Sequence, residues 1–150
     1  PVQPAQGYSV TTRRPDRCPQ IPFMLVEAKI AATPMGDKLR FAGTLELAGM
    51  DLSINRRRVA ALMKAVPEYV PAWGQGALEL VEVWRGLRPC SPDGLPYIGR
   101  AGAYDNLTVA AGHAMIGVSL GPVTGAVTAR IVQGEESGFD MSLCDVDRYN

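Results

Sequence analysis

The feature that most constrains this chain is a period-two alternation between Ile21 and Leu47. Val26, Ala28 and Ile30 alternate with Glu27 and Lys29, and Leu39, Phe41, Leu45 and Leu47 then alternate with Arg40, Thr44 and Glu46. Successive side chains of a strand point to opposite faces, so the pattern describes a ribbon with one apolar and one charged face. It predicts an antiparallel hairpin that turns at Thr33-Pro34-Met35-Gly36-Asp37, in a sheet with one wet side. From Ser53 the period lengthens. Ile54, Val59, Leu62, Met63 and Val66 fall near helical spacing, with Ser53 or Asn55 as cap and Pro67 as the expected stop. Arg56-Arg57-Arg58 then occupies the first turn, where the helix dipole does not favour positive charge, and a solvated face explains it better than a phosphate site. Leu78 to Arg85 reads as a further strand.

Beyond Pro89 the texture changes. Pro92-Asp93-Gly94 and Pro96 follow closely, which places a domain boundary between residues 1–89 and 90–150. Asn106 to Ala111 is apolar without alternation, as expected of a strand covered on both faces in a parallel sheet. The loop Gly112-His113-Ala114-Met115-Ile116-Gly117 comes next, then a helix over Pro122 to Gln133 with proline at its first position and Gly134 past its end. Strand, glycine loop and helix form the unit that presents backbone N–H groups and a positive helix end to an anionic ligand. The polar tail from Glu135 to Asn150 is expected to be loosely held.

Fifteen Lys and Arg balance fifteen Asp and Glu, so no basic surplus exists to displace counterions from nucleic acid. Cys18, Cys90 and Cys144 are odd in number and far apart, which indicates neither a disulfide framework nor a zinc site and suits a reducing compartment. No apolar run approaches the roughly 18 residues of a spanning helix. The sequence opens at Pro1 without an initiator Met, so a processed or excised piece of a longer chain is expected.

Gly117-Val118-Ser119-Leu120-Gly121 matches the G-x-S-x-G nucleophile elbow, but that fold needs its histidine after the serine, and the only histidine is His113. A glycine-rich turn before a helix is the better reading. No spacing rule joins Cys90 to His113 as thiolate and base, and a lone histidine after a strand is more often structural than catalytic. Glu135-Glu136 reads as solvated tail, and no GxGxxG, P-loop or metal-ligand cluster is present. Arg88 lies between Gly86 and Pro89, where a turn could hold its guanidinium fork toward a carboxylate. From pattern alone a surface ion pair is the simpler reading.

The run Gly86-Leu87-Arg88-Pro89, Pro92-Asp93-Gly94-Leu95-Pro96 and Ile98-Gly99, followed by Asn106-Leu107, Gly112-His113, Gly117, Pro122 and Thr124-Gly125, resembles the C-terminal end of the D-amino acid oxidase-like FAD-dependent oxidoreductases. That group includes D-amino acid dehydrogenase, glycine oxidase and sarcosine oxidase. Pro1-Val2-Gln3-Pro4, Gly7-Tyr8-Ser9 and the Gly43-Thr44-Leu45-Glu46 strand also resemble this family's substrate domain and its sheet.

The resemblance implies an α+β chain: an antiparallel substrate-binding sheet with flanking helices over residues 1–89, then over 90–150 the returning strand and helix of an FAD-binding domain. The N-terminal GxGxxG half of that domain is not in this sequence and stands as the missing partner. It implies oxidation of an amino acid or secondary amine, as in amino acid catabolism, by hydride transfer to FAD. Arg88 matches the arginine that pairs the substrate carboxylate, and His113, Ala114, Met115, Ile116, Gly117, Val118 and Ser119 match the segment along the flavin ring. Met115 stands where glycine oxidase-like members carry a second substrate-binding arginine, which favours a D-amino acid dehydrogenase-like enzyme. The resemblance further implies a cytoplasmic parent enzyme, with a peripheral place at the inner membrane and a membrane electron acceptor open to it, and a piece that is inactive alone. The rival reading is a non-catalytic binding module that keeps the fold, and an esterase built on Ser119 stands third.

Overall fold

In the computed structural model, which describes residues 1–74 and 76–150, the alternating segment is divided by a reversal near its start. Strand β2 (Phe23–Leu25) pairs antiparallel with β3 (Ile30–Met35). Between them the chain turns at Val26 to Lys29, closed by the Lys29 N–H donating to the Val26 carbonyl at 3.1 Å with Lys29 at φ +54°. Val26 is therefore exposed, although its alternation placed it on the apolar face. β3 and β4 (Lys38–Ala42) form the expected hairpin, with Ala32 opposite Phe41 and Met35 opposite Lys38. The turn is shorter than expected, only Gly36-Asp37, and Gly36 sits at φ +61°, which glycine adopts without steric cost. Pro34 stays within β3 because β2 reaches only as far as Ala32, and a strand tolerates proline where its flank is unpaired. Gly43 to Glu46 forms no strand. It makes a single bridge from Glu46 to Gln6, and Leu45 and Leu47 are exposed.

β1 (Gln3–Arg13) pairs antiparallel with β4, and the five-stranded sheet runs β2-β3-β4-β1-β5. Helix α1 (Arg56–Tyr69) is capped by Asn55, whose side chain accepts from the Arg57 and Arg58 N–H groups. Pro67 does not stop this helix. A proline removes one i to i−4 bond, and so near the C-terminal end the Val70 N–H still reaches the Val66 carbonyl at 3.0 Å. Leu62 and Val66 face Val10, Ile30, Leu39, Phe41 and Trp73 in the core. Tyr8, buried, donates to Glu46 at 2.9 Å and accepts from the Asn55 N–H at 3.3 Å, tying the start of α1 to β1. Its hydroxyl is held above its ordinary pKa chiefly by burial, and that hydrogen bond holds Glu46 below its own.

The remaining strands correct two expectations. β5 runs from Leu80 to Cys90, five residues past Arg85, so Arg88 lies on a strand rather than in a turn. β6 (Tyr97–Arg100) and β7 (Thr108–Ala111) pair antiparallel, Tyr97 opposite Ala111, where a parallel sheet was expected. Their link, Ala101 to Leu107, is too short for a parallel crossover, which needs a dozen or more residues.

Helix α2 (Gly117–Gln133) starts five residues before Pro122. That proline frees only the Val118 carbonyl, and Val118 is exposed to water. Gly134 ends α2 in the left-handed conformation at φ +78°. The tail is not loose: a 3-10 turn at Ser142–Cys144 and the side chains of Asp147 and Arg148 fasten it.

The chain divides into two compact units, one of Gln6–Leu87 and one of Pro1–Ala5 with Arg88–Asn150.

Candidate active site

Every candidate residue lies in the unit of Pro1–Ala5 with Arg88–Asn150. The end of β5 and the loop after β7 are joined there by backbone: Cys90 forms a bridge with His113, and the Ala114 N–H donates to the Pro89 carbonyl at 3.0 Å. This brings Arg88, two residues before the bridge, to the strand end that carries the loop. Arg88 is half-buried, and among the described residues no carboxylate pairs with it and no side-chain hydrogen bond engages it. The surface ion pair that pattern alone favoured is therefore not what this arginine makes.

The loop has an unusual backbone. Gly112 at φ +82° and Ala114 at φ +48° both lie in the left-handed region, which costs a residue with a Cβ about 1–3 kcal/mol and clusters at functional sites. Met115 and Ile116 project into solvent. Ile116 is the N-cap of α2 and supplies no side-chain cap, and no acidic residue stands in the first turn. The first-turn N–H groups of Gly117, Val118 and Ser119 therefore keep their partial positive charge for a ligand.

His113 and Ser119 do not form a catalytic pair. His113 Nε2 lies 3.0 Å from Thr124 Oγ1, on the second turn of α2, and Ser119 is exposed in the first turn. That is the structural histidine expected from the sequence, and it leaves the esterase reading without its base. The bridge does place Cys90 beside His113, but through backbone pairing rather than side-chain chemistry.

Sequence reasoning missed a second cluster. The Arg148 fork grips Asp93 with Nε to Oδ2 and Nη2 to Oδ1, both at 3.0 Å, and the guanidinium lies 3.8 Å from the Tyr97 ring centroid. Arg148 holds the Asp93 carboxyl far below the usual carboxylate range, helped by the Leu95 N–H, and Asp93 in turn raises the Arg148 pKa. Asp93 lay in a recognised turn, but no local periodicity connects it to a residue 55 positions away.

In this α+β chain, a strand end whose arginine has no carboxylate partner among the described residues is thus joined by backbone to a loop with two left-handed residues that opens an uncapped helix. The DAO family, described as FAD dependent oxidoreductase, matches residues 1–131, and the chain belongs to that family. The D-amino acid dehydrogenase of Xanthobacter autotrophicus is 38% identical over 99% of this chain and 35% of its own length. That of Chromohalobacter salexigens is 36% identical over the same shares. The crystal structure of glycine oxidase from Geobacillus kaustophilus superposes with a TM-score of 0.89 at 30% identity, covering 99% of this chain and 40% of that one. The chain thus spans about a third of the length of the curated relatives it matches.

The family is FAD-dependent, and the residues present fit one end of that cofactor. An uncapped helix start without acidic neighbours suits the electron-rich pyrimidine edge of a flavin. Gly117 packs closely on its own loop, since a Cβ there would stand 3.2 Å from His113 Cβ.

Proposed function

We propose that this chain is the C-terminal part of a longer FAD-dependent, D-amino acid dehydrogenase-like enzyme that oxidises an amino acid or secondary amine. The share of its relatives that it spans supports the longer parent, and their D-amino acid dehydrogenase activity supports the substrate class. The single observation that carries the reading is Arg88: a half-buried arginine with no carboxylate partner among the described residues, on the strand end bridged to the His113 loop. A substrate carboxylate is the anion that its planar fork matches with two parallel hydrogen bonds.

In this reading residues 1–89 belong to the substrate-binding domain and residues 90–150 to the FAD-binding domain, whose dinucleotide-binding half precedes this chain. FAD, when bound, accepts hydride equivalents from the substrate carbon. Arg88 fixes the substrate by its carboxylate. The segment His113, Ala114, Met115, Ile116, Gly117, Val118 and Ser119 lies along the flavin ring and contributes mainly backbone N–H groups. His113 holds Thr124 and the loop, and moves no proton. The relatives are dehydrogenases by name, which favours a carrier other than oxygen as acceptor, and we place the enzyme in the cytoplasm and peripheral to the inner membrane, with that carrier in the membrane.

Anaerobic mixing of the flavin-loaded full-length protein with D-amino acids, followed by flavin absorbance, tests the reading. Bleaching by D- but not L-amino acids is expected. A protein that binds no flavin, or whose flavin no amino acid or amine bleaches, contradicts it and leaves the binding-module reading in its place.

A further inference from the structure

Tyr97 is where the tail, the β6–β7 sheet and the candidate flavin loop meet. It is 4% exposed, its hydroxyl donates to the Pro1 carbonyl at 2.9 Å, and the Tyr149 ring meets it edge-on at 6.4 Å. One face carries the Arg148 guanidinium at 3.8 Å from the ring centroid. Gly112 passes close to the same ring: a Cβ at Gly112 would stand 3.1 Å from Tyr97 Cδ2. Gly112 at φ +82° leads directly into His113 and Ala114, whose backbone is bridged to the end of β5. The place of the Tyr97 ring therefore decides how closely the chain can approach before it enters the loop.

Arg148 is anchored more fully than the packing of a tail requires. Besides its fork on Asp93, Nη2 donates to the Leu95 carbonyl at 2.8 Å, and Nη1 donates to the carbonyls of Asp145 at 2.9 Å and Pro96 at 3.4 Å. All three side-chain nitrogens are used, and the side chain is only 12% exposed. The Asp93 side of the contact is ordered too, since Asp93 Oδ1 accepts from the Leu95 N–H at 3.0 Å and from Ser91 Oγ at 3.1 Å. A planar fork can hold a turn in its plane and an aromatic ring beneath it at the same time, which a lysine ammonium cannot do.

We propose that Arg148 is a positioning residue for the His113–Ser119 loop. Its fork fixes the turn from Ser91 to Pro96, its plane fixes the Tyr97 ring, and Tyr97 sets Gly112 and hence the approach of the loop to the flavin. This rests on the flavin reading above, and it assigns a function to a tail residue that makes no hydrogen bond or salt bridge with that loop among the described residues.

The test compares wild type, Arg148→Ala, Arg148→Lys, Tyr97→Leu and the double variant of Arg148→Ala with Tyr97→Leu in the full-length, flavin-loaded protein, reading flavin affinity and the position of its visible absorbance bands. Asn55→Ala, which weakens the other unit, controls for a general loss of stability. Arg148→Ala and Tyr97→Leu are expected to weaken flavin binding at least tenfold and to shift the bands alike, with the double variant no worse than either single one. Arg148→Lys should not restore the wild-type bands, and Asn55→Ala should leave them unchanged. If wild type binds flavin and Arg148→Ala binds it equally with the same bands, or if Arg148→Lys restores both, the positioning role is wrong while the enzyme reading stands. If wild type binds no flavin, both fall. Should Arg148→Ala not fold, Arg148→Lys and Tyr97→Leu decide by the same criteria.

Discussion

In the unit of Gln6–Leu87, Val10, Leu39, Phe41 and Val66 are fully buried against one another and Trp73, on a sheet backed by a capped helix. The unit of Pro1–Ala5 with Arg88–Asn150 buries fewer large apolar side chains, chiefly Tyr97, Ile98 and Val127, and fastens its tail with the Arg148–Asp93 fork and a cation on an aromatic face. Apolar burial has no direction and ignores pH, whereas a fork of charged hydrogen bonds is directional and titrates. The first kind of packing keeps a sheet together. The second holds a strained loop in one place, as a site needs.

The largest effect that would break this contrast is in the apolar unit. Phe41→Ala should cost roughly 3–5 kcal/mol, the usual range for emptying a phenylalanine site in a core. Urea unfolding followed by Trp73 fluorescence reads it, since the two rings lie 6.0 Å apart. A loss well under that range would mean the core is looser than its burial suggests.

The next effect belongs to the polar unit and depends on pH. Asp93 has a folded pKa below its unfolded one, so its stabilisation is fully present above the ordinary carboxylate value of 3.8 and is lost as pH falls below it toward the folded value. Protection factors of the tail amides, taken against their intrinsic exchange rates at each pH, should therefore fall below about pH 4, with Asp93→Asn already poorly protected at neutral pH and insensitive to acid. Equal acid sensitivity in wild type and variant would remove the fork from the account.

A smaller change sharpens the picture of the first unit. Asn55→Ala removes the cap of α1 and should cost about 1 kcal/mol, read as a lowered Tm. No loss would show that the Arg57 and Arg58 N–H groups are satisfied equally well by water.

What could be read from the sequence follows the same division. Leu39 and Phe41 announced their buried face, and the helix over Val59 to Val66 announced its period, because apolar burial leaves a regular imprint. The reversal at Val26 to Lys29 was hidden, since its residues continue the alternation of the strands beside it. β5 was cut short because Gly86 and Pro89 look like turn residues, yet both lie within the strand. The antiparallel β6–β7 pair was missed, because the apolar run of β7 reads as a strand covered on both faces and β6 is only four residues long. Arg88 was singled out as a candidate carboxylate partner only through family resemblance, and the structure adds that no carboxylate pairs with it among the described residues. The contact of Arg148 with Asp93 joins residues 55 positions apart and leaves no local pattern at all.

The central claim is that Arg88 receives a substrate carboxylate. The most direct measurement is kcat/KM of the full-length flavin-loaded enzyme for a D-amino acid and for its uncharged amide, in wild type and Arg88→Ala. Removing a bidentate partner of a buried anion should cost about 2–5 kcal/mol, so the acid should lose roughly 30- to 5,000-fold while the amide changes little, and the preference for the acid should collapse. An Arg88→Ala enzyme that still prefers the acid over the amide by the wild-type ratio would contradict the account.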